Sequence, residues 1–349
     1  MKRINEITPT DKSAAADAQR HWDSIAKPLG SMGDFELLLN KIAAIQGTHN
    51  IDISKRAVVV MCADNGVVCE GVTQTGSEVT AISSAAIACG KSNINALAEE
   101  YEAEVLAVDI GIKGYVECSD LINRKISNGT HNIAAGPAMT VEEAERAICI
   151  GIDIIRDLKK QGIKIAVTGE MGIGNTTTAS ALSSVLLRLP PEEVTGRGAG
   201  LTADGLRRKI AVVKKAIEVN KPDAEKPVEL LAKLGGLDIA GMTGLFLGGA
   251  IYHIPIIIDG LISAVAAAIA FKINPLSAEY MLAGHVSAEP AGRGLLEMMK
   301  LHAPIDAGLR LGEGTGGIML LPLLDGAAAL YSKSHRFDES GIERYVELK

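Results

Sequence analysis

The chain has 349 residues, room for about two domains, and its 47% hydrophobic and 22% charged residues exclude a disordered or solvating tail. Aromatics make up only 3%, too few for a surface that stacks bases, and 42 acidic against 35 basic residues leave a net charge of −7. That balance speaks against a nucleic-acid partner and leaves a small anionic substrate to local cationic or amide sites.

The polar start MKRINEITPTDK has no apolar segment of the kind a signal peptide needs, so a cytoplasmic chain is expected. Asp11–Ile25 and Phe35–Gln46 read as helices joined by KPLGSMG, with no strand between them. Four apolar runs follow: AVVVMC (57–62), EVLAVD (104–109), KIAVT (164–168) and IPIII (254–258). Unbroken apolar runs suit strands covered on both faces, as in a parallel sheet. Thr140 and Glu143 form a capping box for a helix reaching about Lys159. Ile239–Ile258 carries no charged residue and is long enough to be tested as a membrane span. Its interruptions at Gly241, Gly244, Gly248, Gly249, His253 and Pro255 favour a buried helix followed by a buried strand. Asp259 then precedes the small-residue helix LISAVAAAIAF, and the tail Ser334–Lys349 is polar and helical in pattern. The β-then-α rhythm predicts a doubly wound α/β domain over residues 56–331. Residues 1–55 with 332–349 are expected to form a small helical domain.

Cys62, Cys69, Cys89, Cys118 and Cys149 are odd in number, lack CxxC spacing and have no histidine at ligand spacing. Inert thiols in a reducing compartment are the expectation, and no metal or cofactor is called for.

Chemistry concentrates in glycine-rich segments. TGEMGIGNTTT (168–178) joins a strand to a helix, where backbone amides and the helix N-terminus could hold an anion. Asn175 stands where a P-loop needs lysine, and the dinucleotide spacing is missing, so one mononucleotide phosphate fits best. The plainer alternative is a tight strand–helix turn. TGRGAGLT (195–202), with Lys209 in the helix after it, offers two cations for a phosphate or merely a solvated face. In RLGEGTGG (310–317) Glu313 could act as a general base if burial raised its pKa, or simply stabilise a helix N-terminus. Asp64-Asn-Gly-Val67 follows the first strand at the edge where open sheets bind ligands, and Ser287 of HVSAEP caps a helix or touches a ligand.

Taken together, KPLGSMG, ADNGV with EGV, TGEMGIGNTT, TGRGAGL, HVSAEPAGR and LRLGEGTGG resemble the nicotinate-nucleotide–dimethylbenzimidazole phosphoribosyltransferases of cobamide assembly. The likeness runs in order from about Asp23 to Leu330. It implies a Rossmann-like parallel sheet flanked by helices, with a small helical domain from both termini, and a metal-free dimer, homodimeric or paralogous. Ribose 5-phosphate would pass from nicotinate mononucleotide to an aromatic base, with inversion at the anomeric carbon. The same resemblance makes Glu313 the general base and Glu170 a second acid facing the cavity. Gly172, Gly174, Asn175, Thr176, Lys209 and Ser287 become phosphate and ribose contacts, while Thr73, Met171 and Leu311 line the acceptor pocket. The chain reads TQTGSEVT (73–80) where the family often shows S-x-x-P-Q-E-V-T, and Asn65 replaces a frequent histidine. An adenine or phenolic acceptor therefore stands beside dimethylbenzimidazole, as does a supporting role in a two-chain assembly.

Overall fold

Each long apolar run becomes a strand with both faces covered. In the computed structural model, which describes residues 1–345, the strands are β1 (Arg56–Ala63), β2 (Ala103–Gly111), β3 (Ile122–Asn123), β4 (Ile165–Met171), β5 (Ile256–Ile258) and β6 (Met281–Ala283). They form one parallel sheet in the order β3-β2-β1-β4-β5-β6. Along β1, Ala57, Val59, Met61 and Ala63 enter one apolar cluster, and Val58, Val60 and Cys62 enter another. Helices on both sides thus explain why the run shows no polar alternation. The strands β3 and β6 were not expected: β3 has only two residues, and β6 (Met281–Ala283) lacks the run of valine or isoleucine that marks the others.

Two helices precede the sheet: α1 (Lys12–Ser24), capped by the Asp11 carboxylate, and α2 (Asp34–Gln46). After β1 come α3 (Glu78–Ala88) and α4 (Asn93–Glu100), and before β4 comes α5 (Val141–Lys160), started by the expected Thr140–Glu143 capping box. Between β4 and β5 lie α6 (Asn175–Leu187), α7 (Pro191–Val194), α8 (Ala203–Asn220), α9 (Pro227–Leu234) and α10 (Leu237–Tyr252). Next are α11 (Leu261–Ile273), α12 (Gly292–Met298), α13 (Thr315–Ile318), α14 (Leu320–Lys333) and α15 (Phe337–Ser340). Trp22, Leu39, Ile87, Ile94 and Leu324 cover one face of the sheet; Ile148, Leu182, Val213, Phe246 and Val265 cover the other. The architecture is α/β and doubly wound.

The uncharged run is buried as α10 and β5. Thr315–Lys333 also has the length and hydropathy of a span, but Leu320, Leu321 and Leu324 are buried against the sheet. The chain ends meet, with Ile25 bridging Arg336 and the Ala26 N–H donating to the His335 carbonyl at 3.0 Å. Among the described residues of the expected 334–349 helix only α15 is helical, and Gly341 ends it at φ +68°; Val346–Lys349 lie outside the described residues.

Helices α5 and α10 cross through glycine. A Cβ on Gly151 would overlap the Gly241 carbonyl and the Gly244 backbone. Helix propensity alone predicts that Gly151→Ala stabilises by about 1 kcal/mol. Backbone overlap wins, so a net loss of about 2–3 kcal/mol is expected in urea denaturation.

Candidate active site

The strand order reverses between β1 and β4, and ligands in open parallel sheets sit at such a point beyond the carboxyl ends. Beside it, over the carboxyl ends of β4, β5 and β6, lies a cavity of about 180 Å³, lined by Glu170 and Met171 at the end of β4, Gly172, Asn175 and Thr176 just after it, Asp259 after β5, and His285, Ser287 and Glu289 after β6. Leu311 and Gly312 close its side. An adjoining cavity of about 150 Å³ adds Thr73, Gln74, Thr75, Gly174 and Arg197. A larger cleft of about 600 Å³ by Lys159, Lys164 and His253 lies at the amino edge of the sheet, away from the glycine loops.

Gly174 starts α6 at φ +96°, a conformation that suits glycine and turns the helix N-terminus toward both cavities. Gly172 is equally constrained, since a Cβ there would lie 2.5 Å from the Ala63 carbonyl. Beside Thr176 stands Lys209, fully buried, its Nζ donating to Thr176 Oγ1 at 2.9 Å. Burial pushes the Lys209 pKa down to about 8, against the pull of Glu289. Glu289 in turn accepts from the Gly198 N–H at 3.0 Å, which fixes the TGRGAGL loop over the lysine. Two motifs separated in sequence therefore build one cradle of amides and a cation, suited to a phosphate.

The acids lie on its other side. Glu170 is half-buried in the cavity wall and accepts from Asn175 Nδ2, which also donates to Asp238 at 3.0 Å. Burial pushes Glu170 up to about 8, with Asp238, Asp259 and Glu313 adding repulsion and Asn175 opposing it. Burial likewise raises Asp238 to about 6. The folded state thus holds the Glu170 proton more tightly than the unfolded chain, whose ordinary value is 4.5. That contribution is full below pH 4.5 and is lost as pH climbs to about 8. Glu170→Gln is expected to flatten melting temperature against pH between about 7 and 8, above most of the Asp238 titration. An undiminished slope in the variant would assign it to another group.

Glu313 occupies a left-handed turn at φ +61° between Gly312 and Gly314. The turn hangs from Asp259, whose carboxylate accepts from the Gly314 N–H at 3.3 Å and the Gly317 N–H at 2.8 Å. His285 lies 3.6 Å from Asp259; burial works against its charge, but Asp259 outweighs burial and raises its pKa. The Glu313 carboxylate is buried and turned to α4, accepting from the Ile94 N–H at 3.1 Å and Asn93 Nδ2 at 3.2 Å. Its loop neighbour Gly312 lines the cavity, and a Cβ there would stand 2.8 Å from Glu170 Oε1. Of the two expected acids, Glu170 faces the cavity and Glu313 sits behind the loop.

The remaining candidates divide between the cavities. Met171, Ser287 and Leu311 line the first, Leu311 59% exposed at its mouth and Ser287 Oγ accepting from the Glu289 N–H at 3.3 Å. Thr73 lines the second, its hydroxyl donating to the Thr75 carbonyl at 2.8 Å. Sequence reasoning passed over Asp238, Asp259 and Asn93 as site residues. Asp259 had a signal, an acid directly after a strand at the ligand-binding edge. Asn93 had none.

A phosphoribosyltransferase family model matches residues 7–342. The chain is 42% identical over 346 residues to the nicotinate-nucleotide–dimethylbenzimidazole phosphoribosyltransferase of Ruminiclostridium cellulolyticum, covering 99% of this chain and 98% of that protein. Identity is 43% over 345 residues to the same-named protein of Acetivibrio thermocellus, covering 99% and 97%. Among solved structures, the nicotinate-nucleotide–dimethylbenzimidazole phosphoribosyltransferase of Thermus thermophilus superimposes with a TM-score of 0.89 at 38% identity, over 96% of this chain and 100% of that one.

Proposed function

The chain belongs to the nicotinate-nucleotide–dimethylbenzimidazole phosphoribosyltransferase family, and from that premise we propose how its own residues carry the reaction. Ribose 5-phosphate passes from nicotinate mononucleotide to an aromatic lower-ligand base for cobamide assembly. The phosphate lies on the α6 N-terminus at Gly174, Asn175 and Thr176, with Lys209 neutralising its charge. Gly172 and Ser287 meet the ribose. A ring nitrogen of the acceptor forms its bond to the anomeric carbon as the bond to the pyridinium nitrogen breaks. Nicotinate leaves with that electron pair, and its positive ring charge is cancelled without any added proton.

The acceptor must lose its own N–H proton, and Glu313 takes it. For this the side chain turns from α4 toward Gly312, exchanging two hydrogen bonds for one to the reacting ring. Glu170, largely protonated at neutral pH, orients the acceptor between Met171 and Leu311. The observation that carries this reading is the convergence of an amide cradle, a buried lysine and a cavity-facing acid at the carboxyl ends of β4, β5 and β6, beside the switch point.

The test supplies the purified single chain with nicotinate mononucleotide and, in turn, dimethylbenzimidazole, adenine and phenol. Nicotinate release with formation of an α-riboside 5′-phosphate is expected with at least one of them. Release with none would overturn the reading, and release by the chain alone would end a merely supporting role. Thr73, one of the positions where the sequence departs from the usual family segment, lines the adjoining cavity, so the preferred acceptor is decided by product identification in the same panel.

A further inference from the structure

Cys89 and Cys118 lie 29 residues apart in sequence, yet their Sγ atoms stand 3.3 Å apart. A disulfide needs about 2.05 Å, so the sulfurs must approach by roughly 1.2 Å. The local backbone allows it: Cys89 ends α3 and precedes Gly90 at φ +74°, and Cys118 lies in the irregular segment between β2 and β3. Cys89 is exposed and Cys118 half-buried, so an external reagent reaches the pair. Cys62 cannot compete, because burial pushes its thiol up to about 12.

We propose that Cys89 and Cys118 are an oxidation site, joined in a reversible intramolecular disulfide by a low-molecular-weight disulfide, which clamps the α3–α4 bend to the β2–β3 segment. The Cys89 thiolate attacks one sulfur of the oxidant, forms a mixed disulfide and expels one thiolate. Cys118 then attacks Cys89 Sγ and expels the second. Two protein thiols are oxidised, one small disulfide is reduced to two thiols, and the two protein protons end on those thiols. The neighbouring Cys118 thiol raises the Cys89 pKa, so the first attack is slow at neutral pH. Closure is expected within about an hour rather than seconds. The clamp acts next to α4, whose first turn holds the Glu313 carboxylate.

The experiment treats the full chain with oxidised glutathione, blocks free thiols and digests with trypsin. The peptide Gly114–Arg124, whose only cysteine is Cys118, should be recovered joined to Ala57–Lys91 within a single chain. Dithiothreitol should release it. Cys89→Ser should abolish the link and Cys69→Ser should leave it intact. The oxidised wild-type chain should melt a few degrees above the reduced one, with no such difference in Cys89→Ser. Glutathione adducts without the link, or a link only between chains, would overturn the proposal. A link with unchanged melting would overturn the clamp.

Discussion

Glu313→Gln is expected to lower turnover by about 10²-fold or more while the protein stays folded. Glutamine keeps the volume and one acceptor oxygen, and loses only the ability to take a proton. In the folded chain that oxygen can still accept from the Ile94 N–H. The new amide would face Asn93 Nδ2, and a flip of the Asn93 amide presents its oxygen instead. The turn itself is fixed from outside the side chain, by Asp259 on the Gly314 and Gly317 amides, so the loop keeps its shape. Turnover is measured as nicotinate release at saturating substrate, with melting temperature as the control for folding. Glu170→Gln mimics the protonated form that already dominates at neutral pH, and its cost is expected to stay below about tenfold. Wild-type turnover in Glu313→Gln would remove Glu313 from the mechanism. A larger loss in Glu170→Gln would transfer the base to the carboxylate that lines the cavity.

What could be read in the sequence follows physical range. The strands β1, β2, β4 and β5 were legible because helices on both faces demand unbroken apolar runs. The two-residue β3 and three-residue β6 exist because neighbouring strands offer edges, and no local pattern records that. The glycine loops were visible as chemistry, since their composition exceeds what a turn needs. Their mutual contacts were not: Lys209 reaches Thr176, and Asn175 reaches Asp238, across distances in sequence that no periodicity spans. The same limit hid the Cys89–Cys118 contact. For Glu313 the sequence supplied the residue and its glycine turn. The direction of the carboxylate is set by an amide 219 residues away, at the start of α4.

Lys209→Met is expected to weaken substrate use and strengthen the fold at once. Lys209 is fully buried, and burial holds its folded pKa near 8 against an ordinary 10.5. A lysine with a depressed folded pKa costs stability wherever the unfolded chain is charged and the folded site resists the charge. That cost is complete below pH 8 and fades as pH rises through 10.5. Methionine fills similar space without the charge, so the variant should gain on the order of 3 kcal/mol at neutral pH and converge with wild type near pH 10.5. Substrate binding moves the other way. A phosphate at the α6 N-terminus pairs with the buried ammonium, and without it the KM for nicotinate mononucleotide should rise about 10- to 100-fold, with a smaller change in kcat. Wild-type affinity should fall above pH 8 as Lys209 deprotonates, and Lys209→Met should lose that limb of the profile. Thermal melts against pH and KM against pH on the same two proteins separate the effects. An unchanged KM would place the phosphate elsewhere, whatever the melts report. A higher KM with no gain in melting temperature would mean that the ammonium is already compensated in the unloaded site, most directly by Glu289.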